Sequence, residues 1–341
     1  KRIDYFKKKD LVFNDTILVE AVGINDTLIY EGNEYTVSSS QARWTQTNWE
    51  NLMGKTLKLG ANWNIDESNN VFFNTGWISK APKFKYVFDY GNNQLNWKNE
   101  QFKSLELGYE HRSKRFALAL NMYYMLWENK PESGRVPLAA GENADYQTVI
   151  DRLHKGVELN FTFPILEGLV YQFTGSFQRN KWNSIAKLYL YENQTFTETA
   201  DFDARDFPVG NAPQTQIGST FTYSFKSGFN KDAYISLNAM HYSNHYANFD
   251  IVSSEQDADN IWQATSYSLL NLHIGNTTYL KNNTNLKFSL SFLNLLDATY
   301  ISDAYNNSSY VEDAPMNSDA ASASVFWGLP RRMSATIEYK F

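Results

Sequence analysis

Five histidines, several groups of loop carboxylates and a set of isolated aromatic rings are the side chains here whose types could do chemistry. His111, His154, His241, His245 and His273 show no metal-ligand spacing. A separation of four, as between His241 and His245, joins two imidazoles on a helix but holds them ~13 Å apart on a strand. His273 alternates with Leu272 and Ile274, which places it on the polar side of its segment. Asp201, Asp203 and Asp206, with Glu198, are hard oxygen donors of the kind calcium takes. Arg205 among them and the missing EF-hand spacing favour solvated loop charge, and Glu255, Asp257, Asp259, Glu312 and Asp313 read the same way. There is no G-x-S-x-G elbow, no phosphate-cradling glycine loop and no cysteine thiolate. These residues point away from an enzyme, and they imply no metal and no cofactor.

The rings offer more. Trp97, Trp127, Trp182, Trp262, Tyr310 and Trp327 fall in or beside long polar connections. Flat rings there can stack on sugars, aromatic chelators or porphyrins. They can equally pack long loops onto themselves, and both readings stand at this point. An aromatic content of 16% excludes disorder. A net charge of −6 without a basic stripe makes nucleic acid an improbable partner.

The elements that must carry these residues have period two almost throughout. Met333, Ala335, Ile337, Tyr339 and Phe341 alternate with Ser334, Thr336, Glu338 and Lys340; Leu57, Leu59, Ala61 and Trp63 alternate with Lys58, Gly60, Asn62 and Asn64. The pattern predicts about eleven strands, near 55–65, 70–79, 101–112, 115–128, 153–164, 168–182, 213–225, 232–245, 266–279, 284–294 and 331–341. Short turns (66–69, 113–114, 166–168, 226–228, 281–283) alternate with long connections (80–100, 129–152, 183–212, 246–265, 295–330). No stretch approaches the ~18 consecutive apolar residues of a spanning helix. An antiparallel up-and-down transmembrane β-barrel meets all of this, with short periplasmic turns, long extracellular loops and an apolar outer face. Four or five outward residues per strand cover roughly 20–25 Å at a tilt of ~40°. The competing class, a large soluble β-protein, gives no reason to keep the long loops at one end.

Tyr339 and Phe341 end the last strand with the aromatic edge that barrel insertion reads. Counting back from a downward final strand makes 55–65 run downward too, so residues 1–54 are expected to be an extracellular loop region. The sequence opens on Lys1 and gives an odd strand number, so it is expected to be part of something larger.

Several motifs agree. Leu293-Asn294-Leu295-Leu296-Asp297-Ala298-Thr299-Tyr300 resembles the "N-L-F-D-x-x-Y" segment of TonB-dependent outer-membrane receptors, and Gly328-Leu329-Pro330-Arg331-Arg332 resembles their "G-x-P-R" final strand. Asn70–Trp77, Asn99–Tyr109 and Lys155-Gly156-Val157-Glu158 are similar to further segments in the family's order. The Asn-rich and aromatic-rich loops are similar to those of receptors from the Bacteroidetes. The resemblance implies the C-terminal half (residues 55–341, strands 12 to 22) of a 22-stranded barrel, without its plug domain. It also implies a place in the outer membrane of a Gram-negative bacterium, in contact with membrane lipid. The implied partners are the TonB energy-coupling complex, the remaining barrel segment or a partner chain, and a surface lipoprotein. The implied function is capture of a scarce ligand (siderophore, haem, cobalamin, glycan or peptide) and its import, energised by the inner-membrane proton gradient. A passive porin and an adhesion protein on a barrel scaffold are the alternatives from other classes.

Overall fold

The computed structural model describes residues 2–4, 7–14, 16–19, 22–46, 49–89, 92–93, 98–137, 143–192, 195–225, 232–247, 261–280, 284–306 and 323–341. Eleven long strands form its wall: β1 (Lys55–Asn64), β2 (Asn69–Lys80), β3 (Glu100–Arg112), β4 (Ala117–Pro137), β5 (Asn143–Leu166), β6 (Leu169–Trp182), β7 (Pro213–Ser224), β8 (Tyr234–Tyr246), β9 (Tyr267–Tyr279), β10 (Asn285–Leu293) and β11 (Arg332–Lys340). Each pairs antiparallel with its sequence neighbours, so spatial order equals chain order from β1 to β11. Three short strands branch from this path, making a sheet of 14 strands. β1 and β11 are its two edges. Smaller sheets lie within residues 2–52, where Lys7–Phe13 pairs with Thr16–Val19 and Ala42–Gln46 over a core of Leu11, Val22 and Ala42.

The register separates two faces, one carrying the exposed apolar residues and the other mainly polar. Leu59, Thr75, Leu105 and Tyr124 form one row, and Ile217, His241 and Ser268 belong to the same face further along the sheet. Its large apolar residues are open: Leu59 is 66% exposed and Ile337 72%. The opposite face is a polar network. Glu106 accepts from Asn74 and Asn121 at 3.0 Å each, Asn238 donates to Thr220 at 2.9 Å, and His273 meets Ser291 at 2.9 Å. Glycines on this face sit beneath aromatic rings. A Cβ on Gly108 would lie 2.1 Å from the Phe72 ring, and one on Gly275 2.3 Å from Tyr234, each the direct cross-strand partner.

The buried apolar core lies elsewhere, at the long-loop end. The connection after β6 folds into a hairpin, Ile185–Glu192 with Thr195–Asp203, which pairs back onto β5. Ile150, Ala186, Leu188, Leu190, Ala204, Phe207 and Ala304 are buried there. Two long connections read from the sequence as loops are thus largely strand. β4 and β5 continue as a ladder to Pro137 and Asn143, past a bulge between Trp127 and Lys130 where Asn129 takes φ 55°. Tyr146, Thr148 and Ile150 alternate inward on this extension and are covered by the hairpin, which is why it stays ordered beyond the wall.

The motif residues of the last two strands form a clip. Asn294, 2% exposed with φ 50°, donates through Nδ2 to the carbonyls of Ala298 (2.8 Å) and Leu329 (3.3 Å) and accepts from the Ala298 N–H (2.9 Å). Asp297 accepts from the Arg331 N–H at 2.7 Å, so it is the backbone of Arg331 that is held. Tyr300 stacks on Tyr267 (4.4 Å) and lies over Gly328, whose N–H donates to the Tyr300 carbonyl. The turn after β10 therefore sets where β11 begins. Asn294→Ala removes these bonds and strands a buried carbonyl, and is expected to cost about 2–3 kcal/mol. Denaturant titration of the folded protein in detergent checks this, with Leu296→Ala (70% exposed) as the near-neutral control.

Candidate functional site

Four strands bring aromatic and cationic side chains into one row on the polar face, at its long-loop end. Phe102 of β3 pairs with Trp127 of β4, Trp127 with Arg152 of β5, and Arg152 with Trp182 of β6. Direct partners share a face, so the register alone aligns the four side chains. Phe102 and Trp127 have ring centroids 4.9 Å apart. The Arg152 guanidinium lies 3.9 Å from the Trp182 ring and 6.0 Å from Trp127. Lys130, displaced by the bulge, reaches both rings at 5.5 and 5.7 Å, and Lys80 sits 5.5 Å over Phe102.

Two carboxylates balance these cations. Glu132 accepts from Lys130 and, at 3.1 Å, from Arg152. Glu100 accepts from Lys80 at 3.1 Å and from the Trp127 indole N–H at 3.1 Å. Asn129 and Asp151 tie the bulge down through a 2.9 Å bond from the Asn129 N–H to the carboxylate. Lys130 lies thirteen residue steps along from Ala117, where β4 starts. At ~3.3 Å per residue and a tilt of ~40°, that is roughly 33 Å, above an apolar band of ~25 Å.

Burial dominates the electrostatics. It pushes the Lys130 ammonium down to about 7, helped by the neighbouring Arg152 charge and opposed by Glu100. Contact with the Glu132 carboxylate also favours the charged form. Burial likewise lowers Arg152 to about 10 and raises the Asp151 carboxyl above its ordinary value. The Arg152 Nε is buried and has no hydrogen-bond partner among the described residues. The row is a half-desolvated cationic surface whose counter-charges come from two glutamates, an arrangement that can exchange a carboxylate for an incoming anion.

Of the six rings singled out in the sequence, Trp127 and Trp182 meet here through Arg152. Trp182 is 5% exposed and one of its faces is occupied by the guanidinium, so it is a packing residue of the loop core. Trp262 packs against that core. Trp327 stands 63% exposed at the end of the Ala323–Trp327 strand. Trp97 and Tyr310 lie outside the described residues. Tyr339 and Phe341 are exposed on the edge strand, rings 6.2 Å apart.

Sequence reasoning missed Phe102, Lys130, Arg152, Glu100 and Glu132, because only the register across four strands unites them. In the loop carboxylate group, Asp203 bonds Arg205 and is held down to about 2, and Asp206 pairs with Lys181. Among the described residues no three His, Asp or Glu side chains form a metal-binding group.

An antiparallel meander with an apolar exposed face, a polar inner face and an ordered cap at one end is the wall of a transmembrane β-barrel. The family model for the TonB dependent receptor-like β-barrel matches residues 19–295, so the chain belongs to that family, whose members are outer-membrane transporters. No curated protein matches the sequence. Among solved structures, the fold is similar to the ferric-catecholate import receptor Fiu from K12 E. coli (14% identity, TM-score 0.55, 99% of this chain and 41% of that one). It is similar also to the copper transporter OprC (12%, TM-score 0.56, 93% and 42%) and the ferric citrate transporter FecA (12%, TM-score 0.52, 87% and 38%). The chain thus spans about two fifths of the length of these structures.

Trp182→Ala opens a cavity in the loop core and is expected to cost about 3–5 kcal/mol locally. Hydrogen exchange checks it: protection falls in the 185–203 hairpin, while β7–β10 keep theirs.

Proposed function

We propose that this chain is part of the wall and capture face of an active importer in the outer membrane of a Gram-negative bacterium. Membership of the receptor family and the cationic, aromatic row at the mouth of the polar face support this reading. In it, the long-loop end is extracellular, residues 1–54 included, and the short turns face the periplasm. The two open edges, β1 and β11, find their partners in the strands of the remaining barrel, supplied by the rest of the polypeptide or by a partner chain. A plug domain outside this sequence meets the energy-coupling protein, and a surface lipoprotein is the further partner we propose. The loop composition supports an origin in the Bacteroidetes.

The ligand we propose is an anionic metal chelate. The structural neighbours include a ferric-catecholate import receptor and a ferric citrate transporter, whose chelates are built from acidic oxygen donors. In this chain, Lys130 and Arg152 supply the charge and Trp127 an apolar edge. A ligand carboxylate or catecholate takes the place of Glu132, and Arg152 stays ordered by its stack on Trp182. The remaining named rings, Trp97, Trp262, Tyr310 and Trp327, are proposed as secondary contacts from the loops. No residue performs a covalent step; translocation draws on the coupling protein, so the wall needs no catalytic group.

Radiolabelled chelate accumulation in cells expressing the whole receptor tests the class. Collapsing the inner-membrane proton gradient abolishes it if the reading is right; uptake that persists makes the protein a passive channel. The ligand site has its own pH signature. With Lys130 near 7, its ammonium is present below that pH and lost above it. Equilibrium binding of an anionic chelate should weaken about tenfold between about pH 6 and 8. Lys130→Met flattens that dependence, and a profile identical to the wild type's would exclude Lys130 from the site.

A further inference from the structure

The outward face of β1–β4 is not an even apolar wall. In the row Leu59, Thr75, Leu105 and Tyr124, Thr75 is the one short side chain, and its hydroxyl is turned back to the Ser104 carbonyl at 2.9 Å. The row above it carries Leu57, Trp77, Lys103 and Leu126. Together they line an open groove of about 770 Å³, with the Thr75–Gly76 backbone at its floor. The size is that of a site for a flexible ligand, and well beyond the gaps between packed side chains.

Three features say what covers it. First, the groove continues the lipid-facing surface, since its lining alternates in phase with the apolar residues of the whole wall. Second, a strand paired to the free edge of β1 would lie in the plane of the sheet ~4.8 Å away, so it would border the groove and leave its mouth open. Third, charge is graded along it. At the long-loop end, Lys103 and Lys55 stand on this same face, Lys55 exposed and Lys103 half-exposed, with one ammonium contact to Glu128 at 2.7 Å. The Trp77 indole N–H is bonded to Gln101 at 3.0 Å at the same level, as a ring at a membrane–water boundary would be. An apolar trough headed by two lysines and one glutamate has the polarity of a lipid with an anionic head.

We propose that this groove holds one membrane lipid whose phosphate headgroup carries a net negative charge, from the leaflet on the long-loop side. One acyl chain lies over Thr75 between Leu59 and Leu105, and the headgroup phosphate is bound by Lys103 and Lys55. The site rests on the membrane placement of the wall and is independent of which ligand the receptor imports. It would anchor the β1–β4 quarter of this wall, next to the edge where further strands must join.

Native mass spectrometry of the full receptor, released from mild detergent after exchange into phosphatidylglycerol or phosphatidylcholine, tests it. The wild type should retain one phosphatidylglycerol, preferred over phosphatidylcholine by about fivefold, the effect of a lysine at a membrane surface. Thr75→Trp fills the groove and should abolish retention, whereas Thr75→Val, which removes the hydroxyl but keeps the space, should not. Lys103→Gln with Lys55→Gln should remove the preference while a lipid of either kind is still held. Circular dichroism of each variant confirms the fold. A wild type that retains no lipid, equal retention of the two lipids by the wild type, or unchanged retention by Thr75→Trp overturns the proposal.

Discussion

Backbone N–H and C=O groups that face hydrocarbon have no water to bond, so each must find a partner within the protein. That constraint orders everything else in this structure. It is met by the simplest topology available, in which every strand from β1 to β11 pairs with its neighbours in the chain. Once strands are ladder-paired, side chains alternate, and the wall acquires one apolar and one polar face without further instruction. The apolar residues on such a wall are meant to be open, which is why Ile337 and Leu59 are largely exposed while Ile150, in the loop cap, is fully buried. The same constraint makes β1 and β11 the costly places in the fold, since each lacks a second strand neighbour among the described residues.

A wall with no interior of its own leaves the long connections to build one. The extension of β4 and β5, the 185–203 hairpin and the segments around Ala247, Ile261 and Ala304 pool their apolar residues into a cap. The cationic, aromatic row sits where this cap meets the polar face, and it draws on both. Trp182 belongs to the cap by burial and to the row by its stack with Arg152, while Trp127 belongs to the row and is tethered to Glu100. Under the function proposed above, packing and ligand capture are two uses of the same rings. Half-burial of Lys130 and Arg152 keeps the row responsive to an incoming anion, because its present counter-charges compensate it only in part.

The wall was legible from sequence because period two is a direct consequence of one face meeting lipid. Ten of the eleven wall strands begin within two residues of where the alternation placed them, β5 being the exception. β4 and β5 run on because their upper halves follow a different rule. Residues 145–150 alternate toward a protein hairpin, and polar Thr148 is buried there by its bond to the Lys187 carbonyl, so hydropathy gives no signal. The resemblance motifs near the C-terminus proved to have local physical content: Asn294, Asp297, Tyr300 and Gly328 converge on one turn. The row itself was not legible, because Phe102, Trp127, Arg152 and Trp182 come from four strands and no single turn sets all three registers. Nor was the lipid-side groove, which depends on one threonine among larger neighbours.

The central claim is that one face of this sheet meets hydrocarbon and the other an aqueous lumen. Spin labels placed singly at residues 235 to 240 of β8, in the whole protein reconstituted in bilayers, test it directly. Accessibility to oxygen, which concentrates in lipid, should peak at 235, 237 and 239, and accessibility to a water-soluble nickel chelate at 236, 238 and 240. Equal access of the nickel chelate to all six positions would contradict the account and make the sheet a water-soluble one.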